Sequence, residues 1–175
     1  MSKLFYDKIS NIEDSMGKIR INKEYDTFSI FYEKGYSLAQ EIKKLTQGQS
    51  AGERVSFART YIPKDTLNVC INIGKLSIGV IKELESTNST LKFSIDNIVK
   101  NCIIHSDVKF EDYLKIPQIA ENPSKILKSK NGYDVMLFQE NEKYYKLVVK
   151  TTKNKNENFV KSFHLLKEKR YNQYK

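Results

Sequence analysis

The stretch Lys143-Tyr-Tyr-Lys-Leu-Val-Val-Lys-Thr-Thr152, followed by Asn158-Phe-Val-Lys-Ser-Phe-His-Leu-Leu166, alternates residue types with a period of two. That period belongs to a strand, whose side chains point to opposite faces in turn, and not to a helix. The first stretch sets Tyr145, Leu147 and Val149 on one face and Lys146, Val148, Lys150 and Thr152 on the other. The second sets Phe159, Lys161, Phe163 and Leu165 opposite Val160, Ser162 and His164. Paired as a hairpin with apolar faces inward, the two gather lysines, hydroxyls and a histidine on one outer surface. Cations and a proton carrier suit a phosphodiester. The ordinary solvated face of an antiparallel sheet reads the same way.

Charge sharpens the choice. The chain of 175 residues carries a net charge of +9. Residues 143–175 hold 10 basic residues against Glu157 and Glu168 only. A field concentrated in this way raises the local concentration of polyanions, which makes nucleic acid the natural partner; a basic tail that only aids solubility is the alternative. Cys70 and Cys102 show no CxxC spacing, which argues against a disulfide scaffold or a zinc cluster and for reduced thiols. The start, Met-Ser-Lys-Leu-Phe-Tyr-Asp, lacks the apolar run of a signal peptide, and no segment approaches the ~20 apolar residues of a membrane span. The expectation is a cytoplasmic protein with no membrane partner.

Along the chain, apolar spacing predicts a helix over residues 1–22 and strands at Thr27–Glu33, closed by Gly35, and at Val55–Tyr61. A helix from Ser37 to Leu45 lies between them, and Gln47–Glu53 reads as a loop and a segment boundary. A further strand is expected at Thr66–Ile73, after a turn at Pro63. A helix then ends near Leu84, a short strand spans Leu91–Ser94, and a helix capped by Asp96 runs to Ile104 with His105 at its end. Phe110–Ala120 reads as helical with a break at Pro117, and Pro123–Leu127 as a turn or helix. Asn131-Gly132 signals a turn into a strand at Tyr133–Gln139. Lys167–Lys175 is a basic tail. Helices followed by an antiparallel meander make an α+β fold.

Four landmarks then fall in order: Ile71-Asn-Ile-Gly-Lys-Leu-Ser77; Leu91-Lys-Phe-Ser-Ile-Asp-Asn-Ile-Val-Lys100 leading to His105; Phe110-Glu-Asp-Tyr-Leu-Lys-Ile-Pro117 with Glu121-Asn-Pro123; and Leu147-Val-Val-Lys-Thr151 with Val160-Lys-Ser-Phe-His164. Over residues 67–170 the chain resembles the phage-associated barnase–EndoU–colicin–RelE-like (PBECR) nuclease domains, found in phage minor head proteins and mobile-element proteins. The resemblance implies helices packed on an antiparallel sheet of about four strands within residues 67–175. Residues 1–66 become an N-terminal extension. It also implies a metal-independent endoribonuclease, with no cofactor, acting on RNA such as tRNA as a toxin or phage effector. An immunity or host protein is a further expected partner. Ser94, Lys100, His105, Tyr113, Lys150 and Ser162 match positions where the family carries a hydroxyl, a base-type side chain or an aromatic. Ser106 stands where the family often has proline after the histidine.

A metal-free ribonuclease deprotonates the ribose 2′-hydroxyl, stabilises a phosphorane and protonates the leaving 5′-oxygen. His105 is the first candidate for acid–base work, and His164, beside Ser162, the second. The competing reading of His105 is a helix-end histidine that favours the dipole. Lys150 and Ser162 are candidates to stabilise the phosphorane. Ser94, Lys100, Lys146, Thr152, Arg170 and Tyr171 are candidates to hold the nucleic acid, and Tyr113 reads as core. No P-loop, dinucleotide turn or His-Glu-x-x-His occurs. A non-catalytic nucleic-acid or protein-binding phage module, or an inhibitor, built on the same fold stays open.

Overall fold

The computed structural model describes residues 16–174, with side chains from residue 26 onward. Four successive antiparallel strands form its C-terminal part: β3 (Lys125–Leu127), β4 (Tyr133–Glu140), β5 (Lys143–Thr151) and β6 (Asn158–Leu166). Before them come helices α1 (Met16–Leu45), α2 (Ala51–Tyr61) and α3 (Lys64–Leu67), strand β1 (Cys70–Lys75), α4 (Ile78–Leu84), β2 (Thr90–Ser94), α5 (Ile95–Ile104), α6 (Phe110–Tyr113) and α7 (Ile116–Glu121). Helix α8 (Glu168–Asn172) follows β6. The antiparallel β1–β2 pair joins the meander through a parallel pairing of β2 with β6, so the sheet has six strands in the order β1-β2-β6-β5-β4-β3. The fold is α+β, as expected; β3 adds a fourth strand to the three read from the sequence pattern, and the sheet of about four strands that the resemblance implies has six.

The period-two pattern holds in β5, where Tyr145, Leu147 and Val149 are buried against the helices. In β6 it is broken. Ser162 pairs with Val148 while Val160 pairs with Val149, so Lys161 is an extra residue, a β-bulge. The bulge turns both Val160 and Phe163 into the core and leaves Phe159, Ser162 and His164 on the outer face. The expected grouping of Phe159 and Lys161 with Phe163 is corrected by that one inserted residue. Gly132, at φ 78°, supplies the left-handed residue of the turn before β4. Tyr113 packs in the core as expected.

The N-terminal half departs most from expectation. Residues 27–33 and 55–61 are helical, not strands. The buried residues Phe28, Phe31, Ala39 and Ile42 follow a helical period through α1, and their packing overrides the strand preference of the aromatics. Gly35 lies inside α1 and ends nothing. A Cβ there would stand 2.5 Å from Ile98 Cγ2, so the glycine lets α5 cross α1 closely. In α2, Ser50 and Glu53 form a reciprocal capping box that starts a helix within the expected loop. The N-cap of α5 is Ser94; Asp96 lies in the first turn, bonded to Arg59. Residues 125–127 are an edge strand rather than a turn or helix. Of the helix expected over residues 1–22, residues 16–22 are helical and the rest lies outside the described residues. Side chains on both sides of residue 66 share one apolar core, from Phe28 to Phe163.

We expect Gly35→Ala to destabilise the protein by about 1–3 kcal/mol, because overpacking against buried Ile98 outweighs the gain in helix propensity. Urea unfolding checks this. An unchanged or raised midpoint would show that the crossing is looser than described.

Candidate active site

The site is built by the way β2 gives out. β2 runs directly into α5, so it pairs with β6 only at Leu91–Asn158 and Lys92–Phe159. Beyond Phe159 the edge of β6 would present unpaired backbone groups. Helix α5 supplies the missing partners. Asn101, fully buried, accepts from Phe163 N–H through Oδ1 (2.9 Å) and donates through Nδ2 to the Phe163 carbonyl (2.7 Å) and the Tyr113 hydroxyl (2.6 Å). Lys100 donates to the Lys161 carbonyl (2.6 Å). These bonds lay the end of α5 against β6. The next residue is the C-cap, His105, and its ring stacks on His164 with centroids 4.4 Å apart and planes 24° from parallel.

Lys146 is the cross-strand partner of His164. Burial, with the Lys100 and Lys146 ammonium groups adding to it, holds the His105 imidazole below the ordinary imidazole range; Asp107 opposes them. Burial pulls His164 down to about 4, helped by His105 and Lys146 and countered by Asp107. The geometry explains the direction. Among the described residues, His164 Nδ1 is the one buried side-chain nitrogen or oxygen with no hydrogen-bond partner. Protonation would place a positive charge, with no hydrogen-bond partner at Nδ1 to share it, beside a second imidazole and an ammonium. Lys100 is also lowered, by burial first and then by Arg59 and Lys161, against Asp96.

The register sets the outer face out in rows. One row runs His164, Lys146, Leu137, Lys125 across β6, β5, β4 and β3. The C-terminal segment closes over it. Tyr174 accepts from Lys146 through its hydroxyl (3.2 Å) and from Lys125 through its carbonyl (2.5 Å), so it spans the two lysines that flank the buried Leu137 in this row. The bond from Lys146 lowers the Tyr174 phenol, and burial opposes it. Arg170 stands 5.8 Å from the Tyr174 ring, and Tyr171 is buried against Tyr144.

The expected site residues divide accordingly. His105, His164 and Lys146 come together. Ser162 lies on the same face, opposite Val148, one row from His164. Lys150 is not brought to the histidines. It lies four residues from Lys146 along β5, roughly 13 Å, bonded to the Asn131 carbonyl with its ammonium 4.2 Å above the Tyr133 ring. Ser94 is buried as the N-cap of α5, bonded to Asn97, and Tyr171 is buried, so neither offers a surface contact. Thr152 bonds Asn154 and Asn156 within the β5–β6 turn. Two residues that shape the site, Asn101 and Tyr174, carry no motif. A buried asparagine one turn before a helix-end histidine is the only local hint. Surface depressions of about 560 and 430 Å³ lie elsewhere, one beside Tyr144 and Glu168, the other beside Ser77 and Asn122. Among the described residues no helix is long and apolar enough to cross a membrane. Comparison with models of protein families, with curated proteins and with solved structures gave no match.

A histidine held below its unfolded value makes the folded state bind fewer protons than the unfolded chain. Its stabilising contribution is full above the ordinary 6.5 and is lost as pH falls toward about 4. We expect His164→Phe, which keeps a stacking ring, to flatten the loss of stability between those values in urea titrations. A variant whose pH dependence matches the parent over that window would contradict the burial of a neutral imidazole.

Proposed function

We propose that this chain is a metal-independent endoribonuclease of the PBECR kind. The observation that carries the reading is the His105–His164 stack beside Lys146. Two imidazoles in contact, held to different degrees below their ordinary range, form an acid–base pair. The strongly basic C-terminal region and the resemblance over residues 67–170 support RNA as the substrate.

In this reading His164, which stays neutral to lower pH, takes the proton of the 2′-hydroxyl through Nε2. The 2′-oxygen bonds to phosphorus and the bond to the 5′-oxygen breaks. His105, whose charged form Asp107 favours, donates its proton to the departing 5′-oxygen. The products are a 2′,3′-cyclic phosphate and a 5′-hydroxyl. Lys146 is the cross-strand partner of His164, and it takes the role the sequence suggested for Lys150, with Ser162 as a hydroxyl donor to the phosphorane.

The test is incubation with total RNA and tRNA in a chelator, with product ends analysed. We expect cleavage with cyclic phosphate ends, a rate that falls as pH drops toward about 4, where the His164 base becomes charged, and an alkaline limb that lies below the ordinary imidazole range because His105 is held low. His105→Ala and His164→Ala should each lower the rate about 10²–10⁴-fold. Cleavage that survives both substitutions, or that needs added divalent metal, would overturn the mechanism. RNA binding without cleavage would assign the chain to the non-catalytic module.

A further inference from the structure

A second row crosses the outer face away from the histidines. Lys92 of β2 pairs with Phe159 of β6, Phe159 with Lys150 of β5, and Lys150 with Tyr133 of β4. Cation and aromatic ring therefore alternate across four neighbouring strands. The ammonium groups stand by the rings: Lys92 is 5.9 Å and Lys161 6.0 Å from the Phe159 centroid, and Lys150 is 4.2 Å from that of Tyr133. The bulge matters here, because it brings Phe159 onto the outer face and Lys161 beside it. Tyr133 is 41% exposed. Two strand spacings separate the rings, roughly 9–10 Å. The row between this one and the histidines is Ser162, Val148, Val135 and Leu127, which carries no charge.

We propose that this Lys–Phe–Lys–Tyr ladder is a binding site for single-stranded nucleic acid, with bases on Phe159 and Tyr133 and phosphates on the intervening lysines. A base stacks on the part of each ring that the ammonium groups do not cover, and those ammonium groups give the adjoining phosphates their counter-charges. Bases in a duplex present only their edges to a protein surface, so the ladder selects single strands. Lys150, tethered by the Asn131 carbonyl, is pre-positioned for a phosphate. Lys92 is paired with Glu157 at 3.0 Å, and an arriving phosphate exchanges for that carboxylate. The proposal deepens the nuclease reading by adding a strand-binding subsite centred on Phe159, five residues along β6 from His164.

The experiment separates the two. A fluorescein-labelled single-stranded oligothymidylate has no 2′-hydroxyl and cannot be cleaved by transesterification, so its anisotropy reports binding alone. Oligothymidylate binding by a parent protein that cleaves no RNA would overturn the nuclease reading and leave the ladder standing. We expect Phe159→Leu and Tyr133→Leu each to weaken binding about fivefold to a hundredfold, with Phe159→Tyr close to the parent. Lys150→Gln should lower the slope of log affinity against log salt by about 0.7, while Lys44→Gln on α1 leaves it unchanged. The duplex of the same sequence should bind more weakly. Equal affinity for the duplex, or Phe159→Leu and Tyr133→Leu that bind as the parent does, would overturn the ladder and reduce this face to a diffuse positive patch.

Discussion

The arrangement depends on one buried amide. Asn101 offers the edge of β6 the donor and acceptor that the next strand would have supplied, because β2 has already turned into α5. Leaving the Phe163 N–H and C=O without partners would cost about 1–3 kcal/mol for each buried group. A third bond, to Tyr113, ties the same side chain to the aromatic cluster beneath. Backbone pairing is directional, so it fixes the height of α5 along the strand as well as its contact. Apolar packing of Ile98, Cys102 and Ile103 alone would tolerate sliding. The C-cap falls on His164 because the amide lies four residues earlier, about one helical turn.

The two imidazoles meet at an electrostatic disadvantage. A half-buried ring with an unpaired nitrogen, a second ring on its face and a lysine opposite it would not assemble on their own. The arrangement persists because the helix and sheet that carry the rings are held elsewhere, through the amide and the α1–α5 crossing at Gly35. That is the form in which stability is traded for chemistry: rigid elements hold groups in a state that solvent would not favour. The same sheet face carries the aromatic–cation ladder, so the strand register sets both the reacting groups and the surface next to them.

Legibility followed the strength of local signals. Strands β4 and β5 are readable from their period of two and from Asn131-Gly132, and α5 from its apolar spacing. Helices α1 and α2 are not, because Phe28, Tyr32, Val55 and Phe57 favour strands in isolation and become helical by packing. The capping box at Ser50 and Glu53 was the available signal against a strand at residues 55–61. The bulge at Lys161 leaves no local trace, and it decides which side chains of β6 face out. Both histidines stand out in a chain that has only two. Their contact does not, since it rests on Asn101. Lys146 and Lys150 are equivalent by alternation; only the pairing with His164 distinguishes them.

Histidine-ring NMR over a pH titration, with His105→Ala as the comparison, reads the buried pair itself. Both rings of the parent should titrate below the ordinary 6.5, His164 near 4, and removing His105 should move the His164 midpoint upward. Two independent titrations near 6.5, unmoved by the substitution, would contradict a stacked and buried pair, and with it the way α5 is held against the sheet.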